Sequence, residues 1–408
     1  MSKNTSILIH YTHKETLGHT TRILSICHEL AKNCPQRKIY VLQGGIPQPF
    51  VRFPSSIHVL NVPAPFDSRS SFQGIHAQKN LAQRSQFILE AAKRIQPGIF
   101  VTEFFPLGRM EYLPELLPAL RYLRRLKTRI YASVGYPYLT SLPDLKNKKF
   151  SDIFYSIVGL YDKILIHTPK NLENPYLRAS LDSKELQKHY DQFFHTMARK
   201  IIYTGYIPPV AQSPEPRIHA LLKKKPGMLT VVVSRGGGAV YPKIIVNAIR
   251  AQSLLGERYR FIIASGPSTS HEERSLFKAF LEKSRSKNIS FFEHIPALSY
   301  FLENCDASVS MCGYNTSVQL LSFNTQSIII PYMNERSKGP ANDQIARAGL
   351  LKDYLKSTVL PYHTMTPAML AKAIHQKCET PQKKKRVPPS WLHGSAATAK
   401  LLTQENGN

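Results

Sequence analysis

Residues 229–239 read LTVVVSRGGGA, a β-branched apolar run that ends in three consecutive glycines. The run predicts a buried strand over Leu229–Ser234, and the segment after the glycines has helical periodicity. Glycines between a strand and a helix let backbone amides approach an anion at the positive end of that helix. A tight structural turn would use the same glycines, but the flanking elements favour an anion site at Gly236, Gly237 and Gly238. Neither the P-loop nor the dinucleotide spacing of glycines is met.

The same alternation of strand and helix runs along the rest of the chain, which is typical of parallel α/β sheets. A first unit is predicted to contain strands at Ser6–Tyr11, Ile39–Leu42, Ile57–Leu60, Ile99–Glu103, Arg129–Val134, Lys163–His167 and Lys200–Tyr203. Its helices are predicted near Arg22–Asn33, Asn80–Ile95, Leu113–Leu126 and Lys184–Met197. A second unit is predicted to contain strands at Leu229–Ser234, Arg260–Ser265, Ile289–Phe292, Ala307–Ser310 and Ser327–Ile330, with a last helix at Trp391–Leu402.

Prolines and lysines interrupt this pattern near residue 210 and again after residue 380. We therefore predict an N-terminal Rossmann-like domain over residues 1–208 and a C-terminal one over residues 209–380. Residues 381–408 are predicted to form a basic linker and a final helix. Because ligands of such folds bind at the carboxyl ends of the strands, the parallel sheets should face each other across a cleft that holds the chemistry.

The composition is that of a folded, globular protein, with 408 residues of which 42% are hydrophobic and 10% aromatic. No apolar run approaches the roughly 18 residues of a membrane-spanning helix, and Ile7–Ile9 is too short for the core of a secretion signal. The five cysteines are odd in number and have no CxxC spacing. This pattern argues against a disulfide framework or a thiolate zinc site and predicts a cytoplasmic protein.

The formal net charge of +27 is unevenly distributed, since residues 1–150 hold 21 basic and 8 acidic side chains. Five cations fall within nine residues without an acid; we call Arg121, Arg124, Arg125, Lys127 and Arg129 the basic cluster. A solvated helix end explains any single one of them. Together they indicate an anionic partner: a nucleotide, an anionic membrane surface or nucleic acid. We expect a peripheral position on the inner face of the membrane, and no specific nucleic acid.

Polar residues with catalytic potential follow two predicted strands of the first unit. Gly18 and His19 come after the first strand, where an imidazole suits general-base chemistry. A histidine that only bonds nearby backbone at a helix start would look the same, so both interpretations stay open. Glu103 ends a strand at the predicted cleft, where it could orient His19, act as the base itself or pair with Arg109.

The second unit offers two further helix starts. Residues 313–316 read GYNT between a predicted strand and a helix, and Gln319 lies about one turn further along, facing whatever the helix start binds. Asp343 and Gln344 begin another predicted helix, where their side chains could bond sugar hydroxyls or only cap the helix. No His, Cys or acidic residues have metal-ligand spacing, so a mechanism without metal or cofactor is expected.

At these motifs the sequence resembles the GT-B glycosyltransferases of family 28, which include the N-acetylglucosaminyltransferase of lipid II synthesis. It is most similar to a branch described only as predicted glycosyl transferases. No single segment is specific for the family, but the order and spacing of the segments along nearly the whole chain are specific. The matching segments are Leu17–His19, Thr102–Arg109, Tyr203–Tyr206, Ser234–Ala239, Gly313–Thr316 and Asp343–Gln344.

The resemblance implies acceptor recognition mainly by the first domain, nucleotide-sugar recognition by the second, and a final helix that crosses back to the first. It implies that Gly236–Gly238 and the helix start at Gly313–Thr316 hold the donor diphosphate, and that Gln344 touches the donor sugar. The catalytic candidates are His19 and Glu103. The predicted substrate-binding residues are Gly18, Ser234, Gly236, Gly237, Gly238, His294, Ile295, Gly313, Tyr314, Asn315, Thr316, Gln319, Asp343 and Gln344.

Two positions depart from the family pattern. Gln319 stands where the family has a glutamate expected to bind both ribose hydroxyls of a uridine nucleotide, so the charge-assisted part of that contact is lost. Residues 135–137 read GYP where a charged pair is expected, which indicates a different acceptor.

The sequence thus predicts an inverting glycosyltransferase that uses a nucleoside diphosphate sugar, UDP-linked and with UDP-N-acetylglucosamine as one candidate, and an acceptor hydroxyl of unknown identity. A nucleotide-sugar 2-epimerase of the same fold is the enzymatic alternative, and it should have more carboxylates in the cleft. A non-catalytic basic protein that binds a membrane surface or nucleic acid is the alternative from another class.

Overall fold

The fold is seen in a computed structural model of the chain. The structure describes residues 5–13, 18–45, 51–63, 75–210, 216, 219, 221, 226–237, 240–295, 297–332, 343–380 and 387–404. Of the predicted site residues, Gly238 lies outside this part of the chain.

In the described part of the first half, seven parallel strands form one sheet in the order β3-β2-β1-β4-β5-β6-β7. The strands are β1 (Ile7–Thr12), β2 (Ile39–Gly44), β3 (Ile57–Asn61), β4 (Ile99–Glu103), β5 (Arg129–Val134), β6 (Lys163–Ile166) and β7 (Ile201–Tyr203). The helices are α1 (Gly18–Asn33), α2 (Ile75–Ile95), α3 (Leu113–Arg125), α4 (Lys148–Gly159), α5 (Asn174–Ala179) and α6 (Lys184–Thr196). The register pairs Glu103 with Ser133, which places both at the carboxyl edge of the sheet.

The described residues of the second half form a six-stranded parallel sheet in the order β10-β9-β8-β11-β12-β13. Its strands are β8 (Leu229–Ser234), β9 (Tyr259–Ala264), β10 (Ile289–Phe292), β11 (Ala307–Ser310), β12 (Ser327–Ile329) and β13 (Thr358–Val359). The helices are α7 (Lys243–Leu255), α8 (His271–Ser284), α9 (Leu298–Asn304), α10 (Tyr314–Phe323), α11 (Asp343–Leu355), α12 (Pro367–Glu379) and α13 (Gly394–Thr403).

Alternate side chains of the central strands enter separate cores on the two faces of each sheet. In β1, Leu8 joins the core formed with α2 and α3, whereas Ile9 joins the core formed with α1 and α13. In β8, Val231 and Val233 pack toward α7 and α12, whereas Val232 packs toward α9, α10 and α11. Burial on both faces explains the unbroken apolar runs in the sequence. Two parallel sheets covered by helices on both faces confirm the predicted α/β class with two Rossmann-like units.

Three helix starts differ from the sequence predictions. α2 begins at Ile75 rather than near Asn80. α1 begins at Gly18, one turn before the predicted Arg22, so the segment around His19 is already helical. The last helix begins at Gly394 rather than Trp391, because prolines at 388 and 389 lead into a separate 3-10 turn over Pro389–Leu392.

Candidate active site

The carboxyl ends of the two sheets meet at a cleft between the two halves of the chain. Its lining includes Thr21 and Leu24 of α1, Pro209 after the first sheet, and loops that follow the strands of the second sheet. Predicted site residues in the lining are Ser234, Gly236, Gly237, His294, Ile295, Asn315, Thr316 and Gln319. The catalytic candidates His19 and Glu103 lie outside this lining, as do the other described candidates for substrate binding: Gly18, Gly313, Tyr314, Asp343 and Gln344.

The two catalytic candidates contact each other at the carboxyl edge of the first sheet. His19 lies in the first turn of α1, and its Nδ1 is 3.0 Å from Oε1 of Glu103, the last residue of β4. The side chain of His19 is 15% exposed, whereas that of Glu103 is 1% exposed. The Phe104 ring packs against the imidazole with centroids 5.4 Å apart. The imidazole is therefore the part of this pair that reaches solvent.

Both oxygens of the Glu103 carboxylate accept hydrogen bonds from buried donors. Arg22 donates to Oε1 through Nε at 3.0 Å and also through a terminal nitrogen. Ser133 Oγ donates to Oε2 at 2.6 Å. The alternative ion pair of Glu103 with Arg109 is not formed; Arg109 instead lies 3.5 Å from Glu111 Oε1. Arg22 takes this place because it follows His19 by one helical turn and reaches the same carboxylate.

The surroundings set the charge state of the pair. Burial disfavours ionisation of Glu103, but the Arg22 charge and the bond from His19 outweigh burial and lower its pKa to about 2. Burial also lowers the pKa of His19 from its ordinary 6.5, and Glu103 offsets part of this effect. Near neutral pH the pair is a carboxylate beside a neutral imidazole. Because a carboxylate only accepts hydrogen bonds, Nδ1 carries the proton and Nε2 has the lone pair.

A chain of buried hydrogen bonds continues from Glu103 into the first half of the molecule. The Oγ of Ser133 also lies 2.9 Å from His167 Nε2, and His167 Nδ1 lies 2.8 Å from Thr204 Oγ1. Burial, with help from the Arg22 charge, lowers the pKa of His167 to about 3, so this imidazole is neutral. The Tyr314 hydroxyl of α10 donates to the His167 carbonyl at 2.7 Å. The second half of the chain therefore contacts this network directly.

A buried arginine supports the glycine loop that follows β8. Arg235 is 1% exposed and donates to both carboxylate oxygens of Glu273 at 2.7 Å. Gly236 has a φ of +79°, which favours glycine, and a side chain at Gly266 would overlap the Gly236 carbonyl. The loop conformation is thus held by residues outside the loop, while Gly236 and Gly237 line the cleft.

The start of α10 presents the second element suited to an anion. Gly313 is its N-cap and supplies no side-chain hydrogen bond to the first turn. In that turn Asn315 and Thr316 line the cleft, and the positive end of the helix favours negative charge there. One turn further, Gln319 is 7% exposed and its Nε2 donates to Ser299 Oγ at 2.5 Å. The amide nitrogen of Gln319 therefore donates to Ser299, while the Gln319 side chain still lines the cleft.

Asp343 and Gln344 make contacts within the second half. Gln344 Oε1 accepts from the backbone nitrogens of Cys312 at 3.1 Å and Tyr332 at 2.9 Å. Asp343 forms an ion pair with Arg347. These bonds connect the first turn of α11 to the ends of β11 and β12, and the implied contact of Gln344 with a donor sugar stays a prediction.

Besides Thr204, three residues of the polar network are absent from the set predicted from sequence: Arg22, Ser133 and His167. A signal existed for each of them. Arg22 follows His19 with helical i+3 spacing, and Ser133 and His167 stand at the carboxyl ends of neighbouring strands, where polar side chains face a ligand site.

Comparison with known proteins agrees with this architecture. Residues 230–401 match the model of the glycosyltransferase family 28 C-terminal domain. An uncharacterized glycosyltransferase of Methanosarcina mazei is 22% identical over 407 residues, with 96% of this chain and 97% of the relative covered. The family resemblance predicted from sequence is therefore confirmed.

Solved glycosyltransferases share the fold at low sequence identity. UGT2 of Phytolacca americana, complexed with UDP-2-fluoroglucose and pterostilbene, superposes with a TM-score of 0.63 at 14% identity over 98% of this chain and 96% of its own. MurG of Acinetobacter baumannii superposes with a TM-score of 0.53 at 12% identity over 97% and 99% of the two chains. A UGT of Siraitia grosvenorii in complex with UDP gives 0.60 at 13% identity over 98% and 100%. These neighbours share the GT-B fold with this chain. Together with the family 28 domain match and the Methanosarcina relative, they identify the chain as a glycosyltransferase.

Proposed function

We propose that this GT-B glycosyltransferase transfers a sugar from a UDP-linked donor to an acceptor hydroxyl, with His19 as the general base. The observation that carries the proposal is the 3.0 Å contact between His19 Nδ1 and Glu103 Oε1. It leaves Nε2 of a neutral, partly exposed imidazole as the proton acceptor. Glu103 orients the ring and stabilises the imidazolium; it is not the base, because its oxygens accept hydrogen bonds from Arg22, His19 and Ser133.

In the proposed reaction the acceptor oxygen forms a bond to the anomeric carbon while the bond from that carbon to the diphosphate oxygen breaks. The acceptor proton moves to His19 Nε2, and the electron pair of the broken bond leaves with the nucleoside diphosphate. Attack from the side opposite the leaving group inverts the anomeric centre. The base therefore belongs to the first half of the chain and the leaving-group site to the second.

The proposed leaving-group site consists of Gly236, Gly237 and the first turn of α10. Fixed amides and the positive helix end stabilise the negative charge that grows on the diphosphate, a task that needs no divalent metal. Within the described ranges, no group of three or more His, Cys, Asp or Glu side chains is placed to hold a metal ion. UDP is proposed because two neighbours of the same fold were solved with UDP or a UDP sugar. Gln319 is the proposed ribose contact.

The 2-epimerase alternative has less support from the cleft. That reaction predicts several carboxylates facing the sugar, whereas the described lining includes a single one, Glu293. Glu293 also accepts from Arg274 Nε at 2.9 Å. The lining therefore favours transfer.

Membrane attachment through the basic cluster is a separate proposal. The cluster spans the end of α3 and the start of β5, at the edge of the first sheet opposite the cleft. Two of its members are engaged, since Arg124 binds both Asp162 oxygens at 2.9 Å and Arg129 donates to the Gln404 carbonyl at 2.9 Å. No helix in the described ranges has the length and apolar character needed to cross a bilayer. A bilayer held by this cluster would leave the cleft facing away from it.

A thermal-shift screen of nucleoside diphosphates and their sugars tests the proposed function. A ligand at 100 times its dissociation constant adds about 2.7 kcal/mol of stability. We expect UDP and at least one UDP sugar to raise the melting temperature, and to do so equally with and without a metal chelator. The UDP sugar that stabilises the protein should release UDP when compounds with acceptor hydroxyls are added. Absence of stabilisation by every nucleoside diphosphate would contradict the proposal.

A further inference from the structure

The guanidinium of Arg22 lies between the catalytic pair and the second half of the chain. On one side it donates to Glu103 Oε1, the same oxygen that His19 Nδ1 contacts. On the other side its Cζ lies 4.8 Å from the centre of the Tyr314 ring. Tyr314 is the first residue of α10, the helix whose first turn lines the cleft. Arg22 is 3% exposed, so its charge is buried between these two groups.

The space for this guanidinium depends on a glycine. A Cβ at Gly135, directly after β5, would overlap one terminal nitrogen and Cζ of Arg22. The φ of Gly135 lies outside the left-handed region, so alanine can adopt the backbone there. Gly135 therefore keeps open the position in which Arg22 contacts both Glu103 and Tyr314.

We propose that Arg22 is a positioning residue that holds a buried positive charge against the Glu103–His19 pair and connects this pair to the start of α10 through Tyr314. The proposal rests on the proposed function for the meaning of the pair as the base. It assigns a role to Gly135 in the same step, because a side chain at that position would displace the guanidinium from its present place. The proton affinity of His19 then depends on Arg22, which also contacts Tyr314 at the start of α10.

The charged groups that face His19 determine whether its pKa should rise or fall when Arg22 is changed. Glu103 at the end of β4 raises the pKa of His19, while Arg22 on α1 and Arg109 in the segment after β4 lower it. Ser133 and His19 still donate to Glu103 when Arg22 is absent, and both hydrogen bonds favour the ionised carboxylate. Loss of the Arg22 charge should then raise the midpoint of the His19 titration.

The experiment is an NMR titration of the His19 ring in the full chain, with the resonance assigned by its loss in His19→Gln. We expect Arg22→Gln to raise the midpoint by roughly one pH unit and Arg22→Lys, which keeps the charge, to stay near wild type. Gly135→Ala should raise the midpoint without any change of charge, and it covers the case in which Arg22→Gln does not fold. Gly159→Ala is its control, since a Cβ there meets nothing within 4 Å.

The link to α10 has its own comparison. Tyr314→Leu removes the ring from the guanidinium and should raise the His19 midpoint, whereas Tyr314→Phe keeps the ring and should not. Unchanged or lower midpoints in both Arg22→Gln and Gly135→Ala would overturn the positioning role, and equal midpoints in the two Tyr314 variants would overturn the link. The titration needs neither donor nor acceptor, so its result is independent of whether His19→Gln abolishes transfer.

Discussion

The carboxyl ends of the two sheets carry opposite kinds of polar group. The first sheet presents a network of buried side chains, in which Glu103 and Arg22 carry full charges and are held by residues far apart in the chain. The second sheet presents a glycine loop and a helix start, where Gly236 and Asn315 line the cleft. Full charges can be buried only with partners that offset desolvation, whereas backbone amides are positioned by secondary structure itself.

This difference separates the expected effects of mutation. Substitutions in the buried network of the first sheet should change stability and proton affinity together. Substitutions in the loop of the second sheet should change nucleotide affinity and leave the fold intact. The four changes below are ordered from the largest expected effect to the smallest.

Glu103→Gln should cause the largest loss. It leaves the buried Arg22 charge without its partner, so we expect the free energy of unfolding at pH 7 to fall by about 3–5 kcal/mol in urea titrations. The pKa of Glu103 is depressed from 4.5 to about 2, so its stabilisation is present above about pH 4.5 and is lost as the pH falls toward 2. The free energy of unfolding of Glu103→Gln should therefore fall less than that of the wild type as the pH is lowered from about 4.5 toward 2. Glu90→Gln, in an exposed pair with Lys93, is the control; equal stability of the two variants would contradict the account.

Gly237→Val should abolish most nucleotide binding without unfolding the protein. A branched side chain in the cleft lining occupies the space proposed for phosphate, and each charge-assisted bond lost costs about 1.5–3 kcal/mol. We therefore expect UDP affinity in calorimetry to fall roughly a hundredfold. Gly159→Val, outside the cleft, should bind UDP as the wild type does. Wild-type affinity in a folded Gly237→Val protein would remove the glycine loop from the donor site.

Gln319→Glu should have a smaller and opposite effect. A carboxylate can accept from Ser299 and still offer a charged acceptor to a ribose hydroxyl, so UDP binding should tighten by about 1 kcal/mol. Gln319→Ala should weaken it. Calorimetric affinities that stay at the wild-type value in both variants would show that the ribose lies elsewhere.

Changing the whole basic cluster to glutamine should have the smallest effect on the cleft. The cluster lies at the opposite edge of the first sheet, so UDP affinity should be unchanged. Binding to anionic vesicles should weaken, because each cation near an anionic bilayer contributes about 1 kcal/mol. Sedimentation with vesicles at physiological salt measures this, and wild-type protein that ignores the vesicles would end the anchoring proposal.

The fold was largely predictable because its signal is local. The central strands are short and mainly apolar, and the glycine loop after β8 marks a strand-to-helix turn in the sequence itself. α4 escaped prediction although Phe154, Ile157 and Val158 supply the spacing of a buried helix face. Short elements such as β13 carry too few residues for a periodic signal.

The site was predictable in its residues but less so in its pairings. His19 and Glu103 stood out by type and by position at strand ends, whereas the choice of Arg22 over Arg109 as the ion partner depends on where α1 begins. The contact spans 81 residues of sequence, and no local pattern specifies it. The contacts of Gln344 with two backbone amides are likewise set by the packing of α11 against the ends of two strands.

The division of labour between the two sheets is tested most directly by His19→Gln, with UDP affinity and UDP-sugar turnover measured on the same preparation. Removing a general base should lower turnover by about 10²–10⁴-fold, while UDP affinity stays at the wild-type value because the nucleotide binds to the second sheet. His28→Gln, on the same helix but outside the network, should leave both quantities unchanged. Wild-type turnover in His19→Gln, or a parallel loss of UDP affinity, would contradict the account.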